Sequence, residues 1–535
     1  MIETSYFIDL LLIQILISPL LYAETHYRFK YFFSYLKKKE PEIIVDIPSR
    51  VLADSPIPIL VIIKDADKYP VTINSLTVLE DSDIVYSTKI EKHITSPYED
   101  LIFHMRPAEL TSGIHYYTIK IDYVVNGKSR ICFVDNHRGT SHKPLSIYIS
   151  KNPLPRFENC FMGETHTHTN YTSDQVEFGA TLKATRVMAK ALELDFFCAT
   201  DHSYDLDDYR DNYLQNDPDL NKWKDFQNEV KELNQNEDEI LIIPGEEVTV
   251  RNRDDKNVHL LIYNSEKFFP GSGDSGEKWF SNYSELSISQ VLSDISGSAL
   301  AVSAHPSERP PLLQKLLINR GSWQSKDCME AGLHGLQFIN GGDDTSIING
   351  KNLWIEQLLA DKRLTGIAGN DAHGNFSRFR QIGFPFFTMR EHSNHLFGKW
   401  LTGIYVINNT LSISSALDAL KSGNCYMTNG PALLIQVSDK YKSYNMGEEC
   451  SSPLLCTFKV RSNDDFGGLK AIYVYVGNMI NKEEIVFFQT SSDVHELEYF
   501  NQIPLNNLPD RGYLRIEVKT VYNYQALSNP IWFNH

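Results

Sequence analysis

Basic charge is what this 535-residue chain most plainly lacks: 51 lysines and arginines stand against 68 aspartates and glutamates, a net charge of −17. That balance excludes an extended nucleic-acid surface and a broad anionic-membrane surface, both of which need clustered positive side chains. An anionic small ligand stays open, because bound cations can invert a local field. Cysteine is sparse too. The seven, Cys132, Cys160, Cys198, Cys328, Cys425, Cys450 and Cys456, are scattered singly with no Cys-x-x-Cys. An odd number without framework spacing points to reduced thiols in a cytosol-like compartment; a Cys450–Cys456 bridge is the alternative. Long apolar runs are missing as well. Residues 8–23 are rich in Leu and Ile, but Gln14 and Pro19 interrupt them, and the run is short for a bilayer span. Glu3 and Asp9 flank its start with no lysine or arginine, the wrong charge for a signal n-region. The expectation is an N-terminal helix packed on the body of a cytoplasmic protein with no membrane span. Export through a signal peptide is the alternative. There is no low-complexity tract and no obvious repeat.

What is present falls into four stretches. Residues 1–41 read as helical and end near the basic run Lys37-Lys38-Lys39. Residues 42–152 change to short β-type runs at 58–63, 71–78 and 116–125, separated by turn residues such as Asn126-Gly127. Strands at this spacing without helical patterns between them predict a β-sandwich domain. After the linker-like Lys151-Asn-Pro-Leu-Pro155, strands alternate with helical stretches over 157–435. From 436 to 535 the chain reads β again, a second small sandwich.

The alternating stretch carries the chemistry. Seven apolar runs, most of them ending in polar residues, lead into or carry His166 and His168; Thr200-Asp201-His202; Glu246-Glu247; His259; Ala304-His305-Pro306; Asn340-Gly341-Gly342; and Asn370-Asp371-Ala372-His373. Strand-then-helix alternation predicts a parallel sheet or barrel. Polar residues at the carboxyl ends of strands are how barrel enzymes build their sites. A doubly wound sheet gathers ligands at one switch point, and would not need a metal-type residue after nearly every strand.

His166 and His168, at i and i+2 on a strand, aim two imidazoles to the same side. Neutral imidazole is a ligand for zinc, iron and other transition metals. Joined by Asp174, His202, Glu247, His259, His305, Asp371 and His373, the set reaches nine nitrogen and carboxylate donors, more than one tetrahedral ion needs. Two or three metals bridged by a carboxylate and a hydroxide are the expectation. Such a cluster lowers the pKa of bound water and clamps the oxygens of a displaced group.

The order Gly163-Glu-Thr-His-Thr-His-Thr169, Thr200-Asp-His-Ser203, Gly245-Glu-Glu-Val-Thr249, His259, Ala304-His-Pro306 and Gly369-Asn-Asp-Ala-His373 resembles the polymerase and histidinol phosphatase (PHP) superfamily. More narrowly it resembles the CehA/McbA-type metallohydrolases. Asp174-Gln-Val-Glu-Phe-Gly179, Asp205-Leu-Asp-Asp208, Ala419-Leu-Lys-Ser-Gly423 and Thr428-Asn-Gly-Pro431 support the narrower match. The resemblance implies an α/β fold, a distorted (β/α)7 PHP barrel over 157–435, flanked by N- and C-terminal β-sandwich domains. It implies a di- or trinuclear site of divalent manganese, iron or zinc. His166, His168 and Asp371 would hold one metal, Glu247 would bridge, and His259 with His305 would complete a second. Asp174, His202 and His373 would belong to a third. Two departures stand out: Glu164 occupies a position usually held by Asp, and Asp174 falls one residue late.

Four further residues are candidates for substrate or proton work: Asp201 beside His202, and Arg309, Arg378 and Arg380 after metal motifs. A guanidinium grips phosphate or carboxylate through two hydrogen bonds; the bland reading of each arginine is a solvated surface residue, and of Asp201 a structural one. His334, His392, His395 and His535 lie outside the motifs and read as surface or packing residues. Gly271-Ser-Gly-Asp-Ser-Gly276 lacks the strand and helix a dinucleotide turn needs and reads as a loop. Trp354, Ile355, Leu358 and Leu359 read as the core face of a helix. The expected function is a metal-dependent phosphoesterase acting through a metal-bound hydroxide on a small, anionic ester. The alternatives are a carboxylic or carbamic ester hydrolase and a non-catalytic ligand-binding protein on the same scaffold.

Overall fold

The computed structural model describes residues 40–534 except 107–110, 138–141, 173–178, 237–238, 274, 276–281, 311, 343, 379–380, 384–387, 391–394 and 491–495. The expected N-terminal helix, Asp174, Arg380, His392 and His535 lie outside these residues.

Alternation decides the N-terminal architecture. In the strand Gly113–Val125, Tyr117, Ile119, Ile121, Tyr123 and Val125 are buried while the residues between them are partly exposed. This is the period-two pattern of a sheet with one wet face. Ile57–Lys64 is buried along its whole length, because it lies centrally between Glu42–Asp46 and Tyr98–Met105. That three-stranded sheet and a six-stranded one enclose a common core of Ile, Val, Leu and Tyr.

From Cys160 the chain builds a 16-stranded sheet that contains the candidate site. Cys160–His168 runs parallel to Phe196–Ala199, which runs parallel to Leu241–Arg251. Two helices cross between them. Leu182–Ala191 buries Leu182, Ala184 and Met188, and is capped by the Thr181 hydroxyl accepting from the Ala184 amide. Asn221–Leu233 buries Phe226 and Val230. Further along, Leu300–Ala304, Gly335–Asn340 and Thr365–Gly369 are parallel neighbours. The helix Asp344–Leu359 packs here: Trp354 stacks on Phe338, its indole N–H donates to the Leu364 carbonyl, and Leu358 is fully buried.

The expected (β/α)7 barrel is corrected by this topology. Strands dominate the described residues, which hold seven α-helices against thirty-three strands. Leu241–Arg251 and Asn257–Tyr263 form an antiparallel hairpin, and Asn257–Tyr263 is again antiparallel to Leu300–Ala304. The five residues of the hairpin connection are too few for a parallel crossover. Nor does the sheet end with the seven predicted runs. Cys160–His168 pairs antiparallel with Leu401–Tyr405, which leads through Cys425–Thr428 to Gln525–Ser528 and Arg511–Thr520 near the C-terminus. The C-terminal strands therefore extend the site's own sheet, and a four-stranded sheet around Ala432–Ser438 covers it over a shared core. The apolar runs suggested uniform parallel strands because full burial on both faces looks the same whichever way a strand points.

All seven cysteines are buried free thiols, which removes the Cys450–Cys456 bridge. No helix among the described residues is long and apolar enough to cross a membrane.

Candidate metal centre

Eight of the nine predicted ligands converge. Their donor atoms form three groups, each within 4.8 Å: His166, His168, Glu247 and Asp371; Glu247, His259 and His305; and His168, His202 and His373. All are buried except Asp371 and His373, which are half-buried. These clusters could hold metal ions.

Each side chain is aimed by its element. The strand Cys160–His168 brings the Nε2 atoms of His166 and His168 within 3.3 Å of each other. The second hydrogen bond of His166 fixes its tautomer. Gln337 gives its amide N–H to the Asn340 side-chain oxygen at 2.8 Å, so its own oxygen accepts from His166 Nδ1 at 2.9 Å. That leaves the Nε2 lone pair of His166 facing the pocket. His168 Nε2 lies 3.0 Å from Asp371 Oδ1 and 3.4 Å from Glu247 Oε2. Glu247, on the hairpin strand, also meets His202 Nδ1 at 3.1 Å, His259 Nδ1 at 2.6 Å and His305 Nε2 at 3.1 Å. His373 stacks on His168 with centroids 4.2 Å apart. Its Nδ1 is 3.1 Å from the Asp371 carbonyl oxygen, while its buried Nε2 has no hydrogen-bond partner among the described residues.

Two ligands sit in strained backbone. His305 has φ of 28° and Asp371 φ of 53°, a left-handed region that costs a non-glycine residue about 1–3 kcal/mol and clusters at functional sites.

The electrostatics match a cation site. Burial would raise the Glu247 carboxyl, yet His259 and His166 outweigh it and hold it well below the usual range. Asp371 is likewise held well below, by His166 and His168 against burial. Burial would lower the His168 imidazole, but Asp371 and Glu247 push it well above its ordinary value. His202 and His373 are lowered, first by burial and then by the neighbouring His168. Two carboxylates, Glu247 buried and Asp371 half-buried, thus demand positive charge at their centre, and protons on histidine meet that demand when no metal does.

The other candidates are placed differently. Asp201 is fully buried with both oxygens engaged: Oδ1 accepts from the Thr169 and Thr172 amides, and Oδ2 from the Thr169 hydroxyl. It shapes the turn after His168, which replaces the proton-donor reading. Arg378 is no substrate clamp, because its guanidinium is buried and donates to Asp135 of the N-terminal sheets at 2.7 Å. Arg309 is exposed. Glu164 bonds to backbone and to Asn370. It accepts from the His166, Asn370 and Gly398 amides and from the Asn370 side chain, fixing the backbone that leads into Asp371. Burial pushes its carboxyl up to about 7.

Sequence reading missed three residues. Gln337 is one. Arg320 is another: its guanidinium donates to His259 Nε2, while His259 Nδ1 faces Glu247 Oε1. The third is His395, named above only as a surface or packing residue, whose Nδ1 lies 2.9 Å from the Asn370 carbonyl oxygen. No ligand-type spacing marks any of them, and only the fold brings them in.

No protein-family model and no curated protein matches the chain. The resemblance to the PHP superfamily is thus one of motif order, with no matching family model or curated protein beside it. Some solved structures do match. A calcium-binding mutant of Bacteroides uniformis beta-glucuronidase 2 shares 8% identity over 92% of this chain, with a TM-score of 0.19; the chain spans 60% of its length. A putative beta-galactosidase from Bacteroides fragilis shares 10% over 92% of this chain and 73% of its own, TM-score 0.18. A beta-D-mannosidase from Dictyoglomus thermophilum shares 8% over 91% and 66%, TM-score 0.22. At such scores the likeness carries no argument about this chain. The expected phosphoester activity rests on the ligand set placed at the strand ends of that barrel, and the carboxylic-ester, carbamic-ester and non-catalytic alternatives rest on the barrel family and its scaffold. With the (β/α)7 barrel corrected, they are withdrawn.

Proposed function

We propose that the protein is a metal-dependent hydrolase whose pocket takes two or three divalent ions of manganese, iron or zinc. The observation that carries this reading is the convergence of eight imidazole and carboxylate side chains, from separated segments, into three overlapping ligand groups. The buried, unpartnered His373 Nε2 supports it, since a buried acceptor without a donor is costly unless a cation fills the gap. So does the donor chemistry, because mixed imidazole and carboxylate sets suit these three metals. When bound, such ions supply Lewis acidity and lower the pKa of water.

The chain's own residues do the rest. Glu247 bridges the first two groups, and His168 links the first to the third. Gln337 and Glu308 turn the rings of His166 and His305 toward the pocket. Glu164 and Asp201 hold the backbone on either side of the histidine pair.

The reading is tested by metal analysis of protein purified without chelator, joined to hydrolysis assays. The assays use a broad panel of chromogenic substrates with different scissile bonds, before and after chelation. Two or three equivalents of metal and a chelator-sensitive hydrolysis are expected. Less than about one equivalent, with no hydrolysis after adding manganese, iron or zinc, overturns it.

A further inference from the structure

We propose that Asp46, on the N-terminal sheet, is a positioning residue for the metal centre, holding the loop that carries Asp371 and His373 through its backbone amides. The inference rests on the metal reading above and adds to it a role for the N-terminal sheets.

The loop is anchored at its start by the site's own sheet: Ala372 and His373 pair with Thr167 and His168. Gly374 then turns it with φ of 64°, so close to its neighbours that a Cβ there would stand 2.7 Å from the Ala180 amide nitrogen. The next anchor comes from a different sheet. Asp46 ends the strand Glu42–Asp46 and is 1% exposed. Its Oδ2 accepts from the Phe376 amide at 2.7 Å, and its Oδ1 from the Ser377 and Arg378 amides at 3.1 and 3.2 Å. Two more links accompany it. The Arg378 guanidinium donates to the buried Asp135, and the Ser377 hydroxyl donates to the Ser146 carbonyl.

A buried carboxylate is costly unless its lone pairs are filled, and here three consecutive amides of one loop fill them together with the Ile47 amide, which donates to Oδ1 at 2.8 Å. The consequence falls on His373. Its Nδ1 contact is to the Asp371 carbonyl within the same loop, so the position of its ring follows the backbone. Releasing the loop from Asp46 displaces His373 from His168 and His202, the partners of its ligand group.

The test uses the full chain, stripped and titrated with manganese or zinc alone. Asp46→Asn and Asp46→Ala are compared with Ile121→Ala, a cavity in the core of the same sheets that leaves the loop contacts intact. Expected is a loss of at least about tenfold in affinity for one metal in both Asp46 variants, larger in Asp46→Ala, the range seen when a ligand's supporting partner is removed. Ile121→Ala should lower the melting temperature and keep wild-type metal affinity. Wild-type affinity in both Asp46 variants overturns the proposal. So does an equal loss in Ile121→Ala, which would mean that stability alone is being read. A wild-type chain that binds no metal defeats the metal reading itself, a result seen before any variant is compared.

Discussion

Glu247 meets nitrogen atoms of five histidines, His166, His168, His202, His259 and His305, all within 3.5 Å. Glu247→Gln keeps the shape and removes the charge that those rings surround. At least one equivalent of metal should be lost, and inductively coupled plasma mass spectrometry reads the outcome; full retention would remove Glu247 from its bridging role. Gln337 acts one step further out. Gln337→Ala frees the His166 ring to flip, and metal affinity should fall about 10- to 100-fold by titration. Asp46 gives a pH signature. Burial, opposed by its amide donors and Arg378, lifts its carboxyl from 3.8 to about 7. A carboxyl raised in the folded state binds more protons folded than unfolded. Its contribution to stability is therefore full below the unfolded value and is lost as pH rises through about 7. Between about pH 8 and pH 5 wild type should gain melting temperature relative to Asp46→Asn as the solution is acidified; a constant gap would contradict this. At this scale much of the site was legible, because histidine and carboxylate after apolar runs have few bland explanations as a set. Gln337 and Arg320 were not legible, since an amide or guanidinium becomes a partner only through the fold. Arg378 was misread because an arginine near a ligand motif looks the same whether it faces a pocket or the Asp135 carboxylate.

At the scale of elements, apolar runs located the strands but not their directions. Leu241–Arg251 and Asn257–Tyr263 are buried almost throughout, and burial on both faces leaves no alternation to read. Their antiparallel pairing is marked in the sequence only by the shortness of residues 252–256, too few for a parallel crossover. The turn at Gly374 is the element most exposed to a single change. Gly374→Ala puts a Cβ into left-handed backbone and against the Ala180 amide. A loss of about 1–3 kcal/mol is expected in denaturant unfolding, with weaker metal binding, because the turn lies between His373 and the Asp46 anchor. Unchanged stability would mean that the loop adapts without strain.

Across the whole molecule, one sheet runs from the histidine strand to the C-terminal strands, and a second set of sheets grips the His373 loop. Neither connection has a local sequence signal, because partners such as Asp46 and Arg378 lie more than 300 residues apart. A metal centre tied into both bodies should stabilise the whole chain, since a ligand bound to the folded state alone adds stability by mass action. Chelation should lower the melting temperature, and re-addition of manganese, iron or zinc should restore it; a chelator-insensitive transition in metal-loaded protein would speak against ligands drawn from separate segments. The most direct test of the central claim is anomalous X-ray scattering from crystals of protein purified without oxygen or chelator. Two or three peaks among His166, His168, His202, Glu247, His259, His305, Asp371 and His373 are predicted. A pocket without a peak, in protein supplied with all three metals, would contradict it.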